Sequence, residues 1–312
     1  MASHLNQPHF QDADKARAYL EALRWPNGPI CPHCGVVGKH YAIKAQSKTG
    51  ARIGLYKCHD CREQFTVTVG TIFERSKIKL NIWLQAVFLL CSSKKGMSSH
   101  QLHRTLGVTY KTAWFMSHRI REAMTSKGGL LGSGGGIVES DETYYNETKR
   151  SKAVGAQGPH KDHMKIVALV ERGGPMKVFH VARANSKNIA PLLREHVAKE
   201  ARLMTDESRI YLKVGQEFAE HQSVNHKAKE YARGDCHVNT VESFWNILKR
   251  GLVGTYHHVG EQHLQRYVEE FGFRYNNRAA AGVTDEQRAN NVLKAISGKR
   301  LTYRRTTGQQ AA

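Results

Sequence analysis

The segment His237–Arg250 (HVNTVESFWNILKR) places a carboxylate and an amine seven residues apart, at Glu242 and Lys249. Seven residues span two helical turns, so the two side chains would share one face of a helix. The other face carries the apolar side chains that a helix packed on a core requires, namely Phe244, Ile247, Leu248 and, slightly off it, Trp245. The polar face would then be turned to a cleft, where a carboxylate can bind a hard cation and a lysine can bind a phosphate.

The same segment also fits a purely structural interpretation, a capping box at the start of the helix. Asn239 or Thr240 is a good N-cap, and Glu242 near the third helical position would complete the box without any chemistry. This stretch alone leaves both interpretations open. The choice depends on whether carboxylates on other elements meet Glu242.

Two such carboxylates lie on expected strands. Asp141 lies in the middle of the strand pattern Ile137–Tyr145, and Asp206 ends the pattern Arg202–Asp206. An isolated carboxylate within a strand is costly unless it lies at an edge or binds something. Asp141 and Asp206 are therefore the residues that Glu242 would have to meet.

Four of the six cysteines form two CxxC pairs, Cys31–Cys34 and Cys58–Cys61, with 23 residues between the pairs. Zn²⁺ takes four thiolates in a tetrahedron, and two such turns supply them from opposite ends of a hairpin, which predicts a zinc ribbon. A redox CxxC and a replacement of one ligand by His33, His40 or His59 are the alternatives. Basic residues around the ribbon suit a surface for nucleic acid or protein: Lys39, Lys44, Lys48, Arg52, Lys57 and Arg62.

The charge balance points to a polyanionic partner. The 312 residues carry a formal net charge of +20, and the pI is near 9.8. This is unusual for an enzyme of small metabolites and suits a protein that neutralises many phosphates. The excess is denser in residues 1–130, with 19 Lys and Arg against 7 Asp and Glu. No apolar run approaches the about 18 residues of a membrane span, and the N-terminus does not resemble a signal peptide, so we expect a cytoplasmic, nucleoid-associated protein.

Three helices are expected between the ribbon and a glycine-rich stretch. The first begins at Asn81, the second at Ser98 or Ser99, and the third covers Tyr110–Met124 after a Gly107 turn. Helix, short turn and helix form the helix-turn-helix pattern, and a plain three-helix scaffold is the alternative. The polar side chains of the third helix are the candidates for DNA contacts, namely Tyr110, Lys111, Thr112, His118, Arg119 and Arg121.

The order of elements predicts the domains. Residues 1–75 would form the N-terminal helix and ribbon, 76–126 the helix-turn-helix, 127–136 a flexible linker, 137–290 an α/β domain, and 291–312 a basic tail. After the linker come three strands, a helix, a strand ending at Asp206, an irregular basic stretch and the helix of Glu242. This is the order of an RNase H-like domain.

Several motifs in the same order resemble bacterial insertion-sequence DDE transposases of the ISXO type, which also carry an N-terminal zinc ribbon. They are IVESDETY, LMTDES, HVNTVESFWNILKRGLVGTYHH and LQRYVEEFGFRYNNR, with CPHCG and YKCHDC in the ribbon, and they cover residues 25–278. The resemblance implies that the three acidic catalytic residues are Asp141, Asp206 and Glu242. It also implies that Lys249 is the basic residue two turns on. This family varies at the third position, so Asn239 is a rival to Glu242. Tyr145-Asn146 departs from the small residues expected after DETY.

The implied chemistry is two-metal phosphodiester cleavage followed by strand transfer. Two Mg²⁺ or Mn²⁺ ions about 4 Å apart activate the attacking oxygen and stabilise the leaving oxygen. Asp141 would bridge both ions, while Asp206 and Glu242 would each hold one and Lys249 would bind a phosphate of the DNA end. Without metal, the clustered carboxylates would repel one another and be partly protonated.

The expected function is therefore a DDE transposase that binds the ends of an insertion sequence, cleaves them and joins the 3′ ends to target DNA. The alternatives are a DNA-binding transcriptional regulator and a nuclease on the same scaffold. A regulator has no use for intact Asp141, Asp206 and Glu242, which favours the enzyme. Double-stranded DNA is the expected partner, and pairing of two ends implies a homodimer or higher oligomer.

Overall fold

The computed structural model describes residues 4–44, 53–125, 128–148 and 162–302. In the third range the side chains are described up to Tyr145, and in the fourth range from His163 onward. Lys48, Arg52, Lys127, the side chain of Asn146 and the end of the expected tail lie outside the described residues. The chain divides into two compact units. One contains the residues up to Met124 together with those from Val283 onward, and the other is Thr125–Gly282.

The first unit begins with two helices and a small sheet. Helix α1 is Pro8–Gln11 and α2 is Ala13–Arg24, followed by the strands β1 (His40–Ala42), β2 (Tyr56–Cys58) and β3 (Gln64–Phe65). Asp12 caps α2 by accepting from the backbone N–H groups of Asp14 and Lys15. The three strands form one antiparallel sheet. Strand β3 ends at Phe65, and the Val69 N–H donates to the Thr66 carbonyl in the turn that follows.

Three helices follow, at the positions that the apolar pattern predicts: α3 is Leu80–Ser92, α4 is Ser99–Leu106 and α5 is Tyr110–Met124. The Ser98 side chain caps α4 by accepting from the Gln101 N–H. Gly107 ends α4 in the left-handed region, at φ 65°, where glycine is favoured. Leu102 and Ile120 are fully buried, so α4 and α5 turn their apolar faces inward as expected.

The second unit is a mixed α/β structure. In chain order it contains β4 (Ile137–Thr148), β5 (Asp162–Glu171), β6 (Met176–Val181), α6 (Ser186–His196), β7 (Arg202–Asp206), α7 (Leu212–Gly215), β8 (Glu220–Val224), β9 (Ala232–Arg233), β10 (Cys236–His237), α8 (Asn239–Gly251) and α9 (Glu261–Asn276). A π-helical turn, Leu252–Tyr256, continues α8. The large sheet has the order β6-β5-β4-β7-β8. Strands β4 to β6 are antiparallel neighbours, while β7 and β8 run parallel to β4.

Both faces of this sheet are covered, and strand alternation explains how. On β5, Ile166 and Ala168 belong to the core that includes Val241 of α8. Their neighbours Val167 and Leu169 point the other way and join the core that contains the apolar face of α6. The central strands are therefore held on both sides, and their ends are fixed relative to one another.

The glycine-rich stretch after α5 is not the flexible linker that its composition suggests, over the part that the structure describes from Gly128. Leu131 is buried at 1% exposure and exchanges backbone hydrogen bonds with the end of α6. Gly132 has φ +74°, and a Cβ there would lie 2.5 Å from that of Ala201 and 2.7 Å from Val138 Cγ2. The glycines provide close packing and positive φ rather than mobility.

The last described helix, α10 (Asp285–Lys294), belongs to the first unit. It packs against α3, and Arg288 donates to the Cys91 carbonyl of that helix at 2.9 Å. Tyr19 of α2 donates to Asn290 at 2.6 Å. The boundary expected at residue 290 therefore differs from the structure. Residues 283–302 complete the N-terminal unit, and 291–302 do not form a separate tail.

Candidate active site

The four cysteines of the two CxxC pairs meet in the first unit. Their sulfur atoms all lie within 4.8 Å of one another, with Cys31 Sγ 3.6 Å from Cys61 Sγ and Cys34 Sγ 3.7 Å from Cys58 Sγ. A tetrahedral zinc with Zn–S bonds of about 2.3 Å has an S···S edge of about 3.8 Å. The four thiols therefore fit a structural zinc ion.

Cys58→Ser is expected to lose this zinc, because the structural site needs all four thiolates and their binding energy folds the ribbon. Elemental analysis of protein purified without chelator should find about one zinc per wild-type chain and none in the variant. Cys236→Ser is the matched control, since Cys236 is equally buried but belongs to the other unit. Wild-type protein without zinc would contradict the assignment.

In the second unit, Asp141 and Asp206 stand at the same level of two neighbouring parallel strands. β4 pairs with β7 from Ile137 opposite Arg202 to Glu139 opposite Met204. Asp141 and Asp206 each lie two residues beyond the last of these pairs. Strand register thus brings together two carboxylates that are 65 residues apart in sequence.

A third carboxylate, Glu142, completes an acidic triad in the structure. Three carboxylate oxygens all lie within 4.8 Å of one another, one each from Asp141, Glu142 and Asp206. Strand alternation places Asp141 and Glu142 on opposite faces, which is why sequence reasoning misses Glu142. The pairing of β4 with β7 ends at Glu139, two residues before Asp141, so the ladder between these strands does not reach the acidic residues. The signal that could have found Glu142 is the adjacent acidic pair at this point of the strand.

The environment of this acidic triad disfavours negative charge. The pKa of Asp141 is raised to about 6, first by burial and also by the charges of Asp206 and Glu242, while the Trp245 indole that donates to it acts in the opposite direction. The pKa of Glu142 is raised to about 7 by burial and by the charges of the two aspartates. Burial also raises the pKa of Asp206. Burial and mutual repulsion thus favour the protonated form of these carboxyls, and a divalent cation would have to displace the protons that they hold.

Divalent-metal affinity of the acidic triad is expected to rise as the pH rises from about 5.5 to about 7.5, because metal binds the ionised carboxylates and the pKa values of Asp141 and Glu142 are near 6 and 7. Below these pKa values, each carboxyl that must lose a proton should lower the metal affinity about tenfold for every unit by which the pH falls. Calorimetric titration with Mn²⁺ at three pH values measures this dependence. An affinity that stays constant over the range would contradict it.

Helix α8 brings Glu242 next to this acidic triad. Trp245, one turn further on, donates its indole N–H to Asp141 Oδ2 at 2.8 Å. The Glu242 side chain is 42% exposed, and its Oε1 lies 3.8 Å from His226 Nδ1. Glu242 is close enough to raise the pKa of Asp141, but it is not one of the three carboxylates within 4.8 Å of one another. Lys249 is exposed two turns along the same continuous helix, as expected.

The capping-box interpretation of Glu242 is wrong. The helix begins at Asn239. Its N-cap residue is Val238, whose side chain makes no capping hydrogen bond. Instead, the backbone N–H groups of Thr240 and Val241 donate to Glu139 Oε2 at 2.9 and 3.1 Å. A carboxylate of strand β4 therefore caps α8, and Glu242 is not used as a capping residue.

Two of the expected DNA contacts are buried. Arg119 is 8% exposed and Arg121 is 1% exposed, and His118 beside them is 1% exposed. Arg119 donates to the backbone carbonyls of Ile72 and Leu301, at 2.8 and 3.1 Å. Arg121 donates to the Ser117 hydroxyl at 3.0 Å. Both arginines are buried inside the first unit, so the expectation that they contact DNA is corrected. The partners of Arg119 are far away in sequence, which is why the helical pattern alone misassigns this residue.

The N-terminal end of α5 is accessible. Tyr110 is 45% exposed and stacks on the His100 ring, with 4.3 Å between ring centroids. Lys111 is exposed and Thr112 is half-buried. Lys111 and Thr112 line an open cavity together with Arg75 and Lys77, which sequence reasoning did not single out. Within the described residues, none of the helices is both long and apolar enough to cross a membrane.

Comparison with known proteins agrees with these two sites. The family model of the ISXO2-like transposase domain matches residues 133–276, which include all four candidate carboxylates. The family model of the transposase zinc-ribbon domain matches residues 11–64, which include the four clustered cysteines. No solved structure matches the chain.

Two curated relatives are similar to this chain. A protein of Halobacterium salinarum described as an uncharacterized protein in transposable element ISH50 is 28% identical in an alignment of 285 residues that covers 85% of this chain and 91% of that protein. A transposase-like protein of Haemophilus influenzae is 29% identical over 103 residues, which are 32% of this chain and 82% of that protein. The two family models together match more than half of the 312 residues. The chain thus contains an ISXO2-like transposase domain, and a transposase zinc-ribbon domain precedes it.

Proposed function

We propose that this protein is a DDE transposase that binds the ends of an insertion sequence, cleaves them with divalent metal ions and transfers the 3′ ends to target DNA. One observation carries the proposal. The carboxylates of Asp141, Glu142 and Asp206 converge within 4.8 Å on neighbouring strands, in a chain with a net charge of +20. Convergent carboxylates bind hard cations, and the excess of basic residues favours a substrate with many phosphates, such as DNA.

The proposed architecture of the catalytic unit is RNase H-like. Its support is a five-stranded sheet in which three antiparallel strands are followed by two parallel ones, with the acidic residues on β4 and at the end of β7. We likewise propose that α4 and α5 act as a helix-turn-helix, supported by the Gly107 turn, the exposed Tyr110 and Lys111 and the half-buried Thr112.

The candidate metal ligands are Asp141, Asp206 and Glu242, with the Glu142 carboxylate beside them. Two Mg²⁺ or Mn²⁺ ions, when bound, supply an activated nucleophile and stabilise the leaving oxygen. The residues of the chain prepare this site. The Trp245 indole fixes one oxygen of Asp141, and the Tyr211 hydroxyl donates to Glu142 at 2.7 Å.

Outside the carboxylates, Lys249 is proposed to bind a phosphate of the DNA end. The exposed lysine is on the same helix as Glu242, two turns further on. An ammonium group on a flexible stem acts as a point charge toward phosphate. Because two ends must be brought together before joining, we propose that the protein acts as a homodimer or higher oligomer in the nucleoid.

The test is an assay on labelled DNA that carries the ends of the element. With Mg²⁺ or Mn²⁺, wild-type protein should nick the ends and join them to a target plasmid, whereas with Ca²⁺ it should bind without cutting. Binding without cleavage in every metal would favour a DNA-binding regulator. Cleavage without joining would favour a nuclease.

Lys111→Ala is expected to weaken binding of end DNA and to lower the slope of log K against log salt by about one unit, because one phosphate contact is lost. Fluorescence anisotropy across a salt titration measures the slope. Lys213→Ala is a matched control, since Lys213 is exposed on the short α7 of the other unit. An unchanged slope for Lys111→Ala would make α5 a scaffold helix.

A further inference from the structure

Glu139 is a fully buried carboxylate on the catalytic strand, two residues before Asp141, and its side chain has 0% exposure. It faces the beginning of α8. It accepts from the backbone N–H groups of Thr240 and Val241 at 2.9 and 3.1 Å, and from the Thr240 hydroxyl at 2.8 Å. A carboxylate at a helix N-terminus satisfies unpaired N–H groups and complements the helix dipole.

The same carboxylate is held from its other side by a cation. Arg172, in the turn after β5, donates from Nε to Glu139 Oε1 at 2.7 Å and from Nη2 to the His237 carbonyl at 2.9 Å. The Nδ1 atom of His237 lies 3.3 Å from Glu139 Oε1. Glu139 thus joins β4, the β5–β6 turn, β10 and α8 in one buried network, with its charge balanced.

Helix α8 contacts the catalytic strand a second time, through the indole of Trp245 on Asp141 Oδ2 at 2.8 Å. Glu242 lies between these two contacts in the sequence. It directly follows Thr240 and Val241, whose N–H groups Glu139 binds, and it precedes Trp245 by three residues. A helical segment fixed on both sides has little freedom to shift or rotate. The location of Glu242 relative to Asp141 is therefore set by these two attachments.

We propose that Glu139 is a positioning residue for metal binding, which fixes the start of α8 so that its carboxylate Glu242 stays next to Asp141 and can bind a divalent cation with it. This inference rests on the proposed function of these carboxylates as metal ligands. Glu139 itself is fully buried and has both oxygens occupied by donors, so it acts through α8 and does not touch the substrate.

Glu139→Gln is the direct test, because glutamine keeps the shape but has one acceptor oxygen, and its amide would face N–H donors. Loss of residues that orient metal ligands typically weakens metal affinity or activity 10- to 100-fold. We expect Mn²⁺ affinity, measured by calorimetry without DNA, to fall at least about tenfold in Glu139→Gln, and metal-dependent end cleavage to fall with it.

Glu270→Gln is the matched control. Glu270 is also 0% exposed and also paired with an arginine, Arg274 at 2.5 Å, and it accepts from the Tyr256 hydroxyl at 2.7 Å. Both variants remove a buried ion pair in the same unit. Both should therefore lower the melting temperature, but Glu270→Gln should keep wild-type Mn²⁺ affinity.

Thr240→Val is the milder variant if Glu139→Gln does not fold, since it removes only the hydroxyl donor to Glu139. It should bind Mn²⁺ a few-fold more weakly than wild type. Wild-type Mn²⁺ affinity in Glu139→Gln, or in Thr240→Val where only that variant folds, would overturn the positioning role. If instead wild-type protein binds no Mn²⁺ and Asp141→Asn cleaves like wild type, the proposed function itself fails.

Discussion

Replacing Asp141 with Asn is expected to lower metal-dependent strand cleavage by at least about 10³-fold while end binding is unchanged. Asp141 is one of the three carboxylates within 4.8 Å of one another, and the charges of both Asp206 and Glu242 raise its pKa, so it is the proposed shared ligand. Metal ions contribute several kcal/mol of transition-state stabilisation, and about 4 kcal/mol corresponds to 10³ in rate. Single-turnover cleavage of labelled ends measures the loss.

The same variant should be more stable than wild type at pH 8 in the absence of metal, which separates lost chemistry from lost folding. The pKa of Asp141 is raised from 3.8 to about 6 in the folded protein, so its stabilising contribution is present below pH 3.8 and is lost as the pH rises through about 6. Asparagine never ionises. Urea unfolding with EDTA should show a gain on the order of 2 kcal/mol at pH 8, which disappears toward pH 4. An unstable Asp141→Asn would contradict this reasoning.

Glu242→Gln is expected to lower cleavage by orders of magnitude, about 10² or more, with folding and end binding intact. Glutamine keeps the size of the side chain but lacks the charge that binds a hard cation. Asn239→Ala should cleave at near wild-type rate. Asn239 is exposed, and Glu139 rather than Asn239 caps the helix, so this variant should also cost little stability. Parallel cleavage time courses of the two variants decide between the rival third ligands.

Glu142→Gln extends this comparison, because Glu142 is the third carboxylate that the structure places with Asp141 and Asp206. If Glu142→Gln is inactive and Glu242→Gln cleaves normally, the third ligand comes from the strand and not from the helix. A dead Asn239→Ala that still folds, together with an active Glu242→Gln, would place the third ligand three residues earlier on α8.

Sequence reasoning predicts the elements whose determinants are local. The strand Arg202–Asp206 and the helix Tyr110–Met124 have the expected ends, because hydrophobic periodicity and turn residues define them. The four-cysteine cluster follows from the spacing of the two CxxC pairs alone. The convergence of Asp141 and Asp206 follows once β4 and β7 are taken as parallel neighbours.

Features that depend on distant partners could not be predicted in this way. Glu139 caps a helix that begins 100 residues later. Arg119 donates to the carbonyls of Ile72 and Leu301, which are 47 and 182 residues away in sequence. Helical periodicity reports which face is polar, but it does not distinguish water from a carbonyl as the partner of an arginine. Glycine composition likewise does not distinguish a flexible linker from the close packing of Gly132.

The location of α10 has a consequence for the order of events during synthesis. The ribosome makes α10 only after the whole transposase domain, about 160 residues beyond Met124. At typical translation rates this interval is on the order of 10 s. Until then α3 lacks the helix that packs on it and the Arg288 bond to Cys91. The nascent chain can thus fold its catalytic unit first, and the unit to which we assign DNA recognition matures last.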